Sequence, residues 1–261
     1  GCGSTRSPTA ASPPGGRVAA ARARGRGTPA AARAVGRFLA AGGVPAAVRA
    51  RSDVAGTPVR VAEAFLTDLL DGYRRDPAQV LSEWMPAASG DLVAVTGIDF
   101  HAVCPHHLLP YRGVAHVAYL PGRRVVGFGQ VARLLDALAH RLVIEEDLAR
   151  QVAEALVRHL GARGAACALD AEQMCLTMRG ERRRGARAHV QCFAGSMRRD
   201  RSPQRGFLDL VQASALAPRR APGARAPSPR GRGRAGRRAA ARRSRPRPRA
   251  RWEAPPGRPP G

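Results

Sequence analysis

Cys104-Pro105-His106-His107 is the segment of this 261-residue chain whose residue types and spacing point most directly to chemistry. A Cys-x-x-His pair can place a thiolate and an imidazole on one Zn2+. Two ligands do not make a site, and Cys175, further along the chain, is the available third. Two thiolates, one imidazole and a water would form an open tetrahedral site, whose metal lowers the pKa of the water toward ~7 and prepares hydroxide for hydrolysis. Adjacent side chains diverge, so His106 would face the substrate as an acid or base rather than share the metal with His107. The same residues also permit a closed structural zinc with Cys167 or Cys192 as fourth ligand. They equally permit buried thiols with no metal and a histidine pair that caps a loop. Spacing alone leaves these alternatives open.

The elements that must hold these residues follow from hydrophobic periodicity. Thr57 and Pro58 read as an N-cap and first helical residue, followed by Val61, Phe65 and Leu69 at helical spacing, with Gly72 as the stop. Residues 91–100 and 113–120 read as strands; Pro121-Gly122 makes a turn and 124–128 returns as a short strand. Helices follow at 130–142, with Val131, Leu134, Leu135, Leu138 and Leu142 on one face, and at 146–160, with Leu148, Val152, Leu156 and Leu160, ended by Gly161. Strands return at 165–170, at 174–179 (carrying Cys175) and at 187–194. Strands, two helices and strands again indicate an α+β fold, an antiparallel sheet with helices on one face.

The formal net charge of +25 suggests nucleic acid until it is divided along the chain. Every cation is Arg. Residues 1–52 hold 9 arginines and no acid, and 214–261 hold 15 arginines and one acid, whereas 53–213 hold 20 arginines against 18 acids. The charge therefore lies in two Arg/Pro/Gly/Ala-rich extensions, 1–52 and 214–261, which lack apolar periodicity and read as mostly disordered. The C-terminal one also has the composition of GC-rich DNA translated out of frame. Residues 53–213 are long enough for one domain with its own core. No apolar run approaches the ~18 residues of a membrane span, and the start lacks the apolar stretch of a secretory signal. Five cysteines in a chain of this size suggest metal or catalytic use in a reducing compartment, and so a cytoplasmic protein.

Residues 57–62 (TPVRVA), 104–110 (CPHHLLP), 113–121 (GVAHVAYLP), 126–134 (VGFGQVARL) and 172–180 (EQMCLTMRG) occur in the order and spacing of GTP cyclohydrolase I, and Phe207-Leu208-Asp209-Leu210 resembles that family's C-terminal end. The resemblance covers about residues 53–213. It implies the tunnelling fold, an antiparallel sheet backed by two long helices and preceded by an N-terminal helix, assembled as a homodecamer with active sites between subunits. It implies Zn2+ as cofactor and GTP as substrate, with hydrolytic opening of the imidazole ring to formate and 7,8-dihydroneopterin triphosphate for tetrahydrofolate and pterin synthesis. Cys104, His107 and Cys175 match the zinc ligands, and His106 matches the histidine that protonates the imidazole nitrogen. Glu146 matches the glutamate that reads the guanine N–H groups, a task suited to an acceptor-only carboxylate. Arg60, Arg133 and Arg179 match triphosphate-binding arginines.

The chain departs from the family pattern at identifiable positions. Gln173 stands where a catalytic histidine precedes the second cysteine ligand. Gly129-Gln130 replaces Ser-Lys, Glu63 replaces a lysine, Glu145 replaces a glutamine and Pro105 replaces a glutamate. Two other functions are therefore carried beside the first. One is a diverged cyclohydrolase that takes another purine or stops at the ring-opened stage. The other is a non-catalytic scaffold whose basic tails bind nucleic acid through phosphate contacts.

Overall fold

A computed structural model describes residues 15–216, with side-chain surroundings from residue 28 onward. Helix α1 (Gly15–Ala41), the short α2 (Ala46–Arg49) and α3 (Thr57–Ala64) come first. The chain then passes through a π-helical turn (Phe65–Leu69), a 3-10 turn (Asp71–Arg74), α4 (Pro77–Val80) and β1 (Trp84–Pro86). Strands β2 (Val93–Val103), β3 (Pro110–Leu120) and β4 (Arg124–Val126) lead into α5 (Phe128–Ala139) and α6 (Glu145–Ala155). The last elements are β5 (Gly164–Gln173), α7 (Met174–Thr177), β6 (Ala188–Gly195) and α8 (Arg201–Leu216). The sheet is antiparallel in the order β2-β3-β5-β6, with β1 and β4 as a separate pair. This is the α+β order expected from the periodicity.

Side chains alternate across the sheet, so one strand serves two layers. Cys167, Leu169 and Ala171 of β5 join Leu134, Leu135, Leu148, Val152 and Leu156 in the main core beneath α5 and α6. The intervening Ala166 and Ala168 join Met197 and Phe207 in a smaller cluster on the other side. α8 thus packs on the face opposite the two long helices, and Phe207 of the closing segment is its fully buried anchor. Burying one such side chain is worth about 1.5–3 kcal/mol.

Several local expectations are corrected. The segment 1–52 was expected to be mostly disordered, yet α1 and α2 lie in it and α1 packs along α3, with Ala32 buried. Ala and Arg are strong helix formers, so a composition that resembles a tail also suits a helix once a partner is present. The remaining tail residues, 1–14 and 217–261, lie outside the described residues. Gly56 rather than Thr57 caps α3, and Thr57 Oγ1 instead accepts a hydrogen bond from Arg60 Nη2 at 3.0 Å. Leu142 lies beyond the end of α5, is 38% exposed, and bridges through its backbone to Val103 of β2. Gly72 was read as a helix stop, but the helical run before it already ends at Leu69. A Cβ at Gly72 would sit 2.6 Å from the carbonyl oxygens of Ala137 and His140, so the residue permits close approach to the end of α5.

Gly113 serves a similar purpose inside the sheet. A Cβ there would lie 2.0 Å from the Asp170 carbonyl oxygen and 2.7 Å from the Ala171 Cα of the neighbouring strand. Gly113→Ala should therefore force β3 from β5 and destabilise the protein by about 1–3 kcal/mol or more, read as a lower midpoint in chemical denaturation.

Candidate metal centre

Three pieces of backbone meet at one end of the sheet. The first is the loop of residues 104–109 between β2 and β3. Cys104 N donates to Leu109 O at 2.9 Å and Leu108 N donates to Cys104 O at 3.0 Å, which curls the loop, with Leu108 in the left-handed region at φ 54°. This turns the Cys104 side chain inward, where it is buried, and leaves His106 and His107 on the exposed side.

The second piece is the end of β5. Its pairing with β6 ends at Ala171 opposite Ala188, and its pairing with β3 ends at Gln173 opposite Tyr111. With no ladder partner beyond, the chain coils into α7, so Cys175 stands on a helical turn and not on the expected strand at 174–179. That turn brings the thiol back to the loop. Ligand atoms of Cys104, His107 and Cys175 all lie within 4.8 Å of one another, and they form the group of converging metal donors found among the described residues. Cys167 and Cys192 face each other within the sheet, so the closed four-ligand alternative gains no support.

The third piece is the segment that enters α6. Val143 N donates to Val103 O at 3.4 Å, and the Tyr111 hydroxyl donates to Val143 O at 3.0 Å. These bonds set Glu145 and Glu146, in the first turn of α6, against the loop. The three pieces enclose a cavity of about 260 Å3 whose walls include Cys104, His106, Glu145, Glu146, Gln173 and Cys175. A larger cavity of about 340 Å3 under α8 is lined by His116, Asp170, His189, Gln191 and aliphatic side chains but contains none of the three donors.

Burial governs the electrostatics. It pushes the Cys175 thiol up, Cys104 adds to the shift, and the nearby Arg179 charge opposes it. Burial also raises the Glu145 carboxyl; the Gln173 amide partly offsets this and Glu146 reinforces it. The Tyr111 hydroxyl is driven well above its ordinary range by burial and then by Glu145.

The expected residues divide into two groups. His106 is in the cavity wall, its Nδ1 3.7 Å from Cys104 Sγ, and its ring centroid lies 6.3 Å from that of His107, so the two side chains do diverge. Glu146 and Gln173 line the same cavity, and exposed Arg179 follows α7 closely enough to act on Cys175. Arg60 and Arg133 do not line it. Arg60 Nη2 is engaged by Asp53 O and Thr57 Oγ1, and the Arg133 guanidinium lies over Gly129. Gln130 is buried in a structural role: its Oε1 accepts from Gly127 N at 2.9 Å and its Nε2 donates to Val80 O at 3.1 Å. Sequence reasoning missed Tyr111, which carries no local signal for its role. It noticed Glu145 only as a departure from a pattern, since an acid at a helix start is ordinarily a dipole partner.

Fold and site together define an α+β protein with a Cys-His-Cys group able to hold a metal at one end of its sheet. The chain belongs to the GTP cyclohydrolase I family, whose model matches residues 32–212, and it is an enzyme of that family. It is 46% identical over 157 residues to GTP cyclohydrolase 1 of Chromobacterium violaceum, covering 60% of this chain and 76% of that one. Identity is 48% over 157 residues to the Ralstonia nicotianae enzyme, covering 60% and 75%, and 36% over 165 residues to the Campylobacter lari enzyme, covering 63% and 86%. The family match begins ahead of residue 53, within α1. No helix among the described residues is long and apolar enough to cross a membrane.

Tyr111→Phe would leave the buried Val143 carbonyl without its donor. The expected cost is about 1–3 kcal/mol of stability, read by denaturation, with metal content unchanged because no ligand is touched.

Proposed function

We propose that this chain is a zinc-dependent GTP cyclohydrolase I, opening the imidazole ring of GTP to give formate and 7,8-dihydroneopterin triphosphate for tetrahydrofolate and pterin synthesis. The observation that carries this reading is the convergence of Cys104, His107 and Cys175, of which Cys104 and Cys175 line a cavity that also holds His106 and two glutamates. Two thiols and an imidazole form a borderline-soft donor set that suits zinc, and three protein ligands leave a coordination position open. A zinc ion held by Cys104, His107 and Cys175 would supply Lewis acidity for the hydrolysis.

The chain's own residues do the remaining work. His106, whose Nδ1 lies 3.7 Å from Cys104 Sγ, is assigned the delivery of a proton to an imidazole nitrogen. Glu146 offers only acceptors and so pairs with the N–H donors of a guanine edge. Gln173 anchors the cavity floor by donating to Glu145. Arg179 takes phosphate oxygens at the mouth. Arg60 and Arg133 are assigned to the triphosphate across subunit boundaries in a homodecamer, a reading supported by their absence from this chain's own cavity wall. The catalytic domain is taken as residues 53–213 with α1 packed onto it. A cytoplasmic location suits a GTP-consuming enzyme with unpaired thiols. Nucleic-acid binding through the basic tails falls outside the described residues.

Full-length protein loaded with zinc should convert GTP to formate and a product that becomes fluorescent on oxidation. A chelator should abolish this and added zinc restore it. Cys104→Ser, His107→Ala and Cys175→Ser should each lose bound zinc by elemental analysis and lose turnover. Wild-type protein that retains zinc yet releases no formate would overturn the reading. Sedimentation should give a decamer; a monomer with full activity would remove the intersubunit role of Arg60 and Arg133.

A further inference from the structure

Glu145 is the only acidic residue that is buried among the described residues, at 3% exposure, and it stands in the cavity wall. Its two oxygens are treated unequally. Oε2 accepts a 2.7 Å hydrogen bond from Gln173 Nε2, while Oε1 is buried with no partner. A bare buried carboxylate oxygen is costly, about 1–3 kcal/mol or more. It is relieved in one of two ways: a proton on Oε1, or a donor brought by whatever fills the cavity.

The neighbours do not neutralise the charge. Glu146 on the same helical turn and Asp170 on β5 repel it. His189 on β6 attracts it but is exposed and within 3.6 Å of Asp170, and Arg187 is bound to Asp170 at 2.6 Å. The Tyr111 hydroxyl is committed to Val143 O, and Cys167 on β5 is a buried thiol. The helix N-terminus favours the ionised form, yet burial prevails and lifts the carboxyl above its ordinary range. A carboxyl so placed holds a proton more readily than an exposed one and can exchange it with a group bound beside it.

We infer that Glu145 is a second acid–base residue of the site, exchanging its Oε1 proton with the nitrogen that departs from the reacting carbon. The inference rests on the hydrolytic reaction proposed above. Hydrolysis of a C–N bond adds the OH of one water to carbon, and the bond's electron pair stays with nitrogen. Oε1–H gives its proton to that nitrogen as the bond breaks. The carboxylate so formed takes the remaining proton of the water, and Glu145 returns to its starting state. His106 acts from the loop wall and Glu145 from the α6 wall, while Gln173 fixes the carboxyl by Oε2.

Glu145→Gln tests this, because its amide oxygen can still accept from Gln173 but it carries no exchangeable acid proton. In the zinc-loaded enzyme kcat for formate release should fall roughly 10²–10⁴-fold, with KM for GTP nearly unchanged, zinc content kept and one limb of the pH–rate profile lost. Adding Gln173→His to that variant should recover part of the rate by placing a proton carrier beside the same spot. Wild-type turnover and an unchanged pH profile in Glu145→Gln would overturn the inference and leave Glu145 as an anchor for Gln173. If Glu145→Gln fails to fold, Glu145→Asp against Glu145→Asn decides: activity in the first alone supports it, equal activity overturns it. A wild-type enzyme that releases no formate would instead overturn the proposed reaction, and the inference with it.

Discussion

The site depends on where the strand ladders stop. β2 and β3 last pair at Val103 and Pro110, β3 and β5 at Tyr111 and Gln173, and β5 and β6 at Ala171 and Ala188. Three pairings therefore end within a few residues at one edge of the sheet. Backbone that leaves a ladder must satisfy its polar groups elsewhere. The 104–109 loop does so within itself and residues 174–177 do so by coiling into a helical turn; in the segment that enters α6, Leu142 bonds to the Tyr73 hydroxyl and Val143 to Val103 and Tyr111. Each solution delivers a functional side chain to the same place: Cys104 with the two histidines, Cys175, and the pair of glutamates.

Much of this was legible in the sequence, though unevenly. Hydrophobic periodicity located the strands around the loop and the buried faces of α5 and α6, because burial writes itself into spacing. The Cys-x-x-His spacing identified a half-site, but nothing local tied Cys175 to it; that link came from the family resemblance, and the structure supplies the converging geometry. The strand expected at 174–179 failed because a strand needs a neighbour, and where a neighbour ends is a property of the whole sheet. α1 was hidden for a related reason: helix propensity in an Ala/Arg segment becomes structure only when α3 is there to cover it. Gln130 shows the limit of pattern comparison. Reading it as a missing cation described what it lacks, and its capping bonds to Gly127 and Val80 show what it does.

The unpaired oxygen of Glu145 bears on how stability and function are divided. Among the described residues the buried side chains are apolar save for His116, Gln130, His140, Glu145 and Thr177, and an apolar core tolerates no unanswered charge. Two buried side-chain atoms lack a partner among the described residues, His140 Nε2 and Glu145 Oε1, and of the two only Glu145 stands in the cavity wall, where an incoming ligand or a proton can answer it. Gln173 holds one oxygen and leaves the other uncommitted. A fully satisfied carboxylate would stabilise the fold more and would be less able to exchange a proton.

GTP brings several negative charges, yet the cavity walls supply two glutamates and two thiols. Arg179 stands close by, and Arg182, Arg183 and Arg184 follow it in an exposed loop. Arg60 is tied back to its own helix start and Arg133 lies over Gly129. A polyanion would enter these acidic walls at a steep electrostatic cost unless its phosphates stayed at the rim, among guanidinium groups. The purine end then meets the acceptors and the metal donors inside, and the phosphate end meets arginines outside. On the reading proposed above, that division of the substrate by charge gives Arg179 and the exposed arginines after it the phosphate end, and the assignment of Arg60 and Arg133 to a neighbouring copy remains part of that proposal.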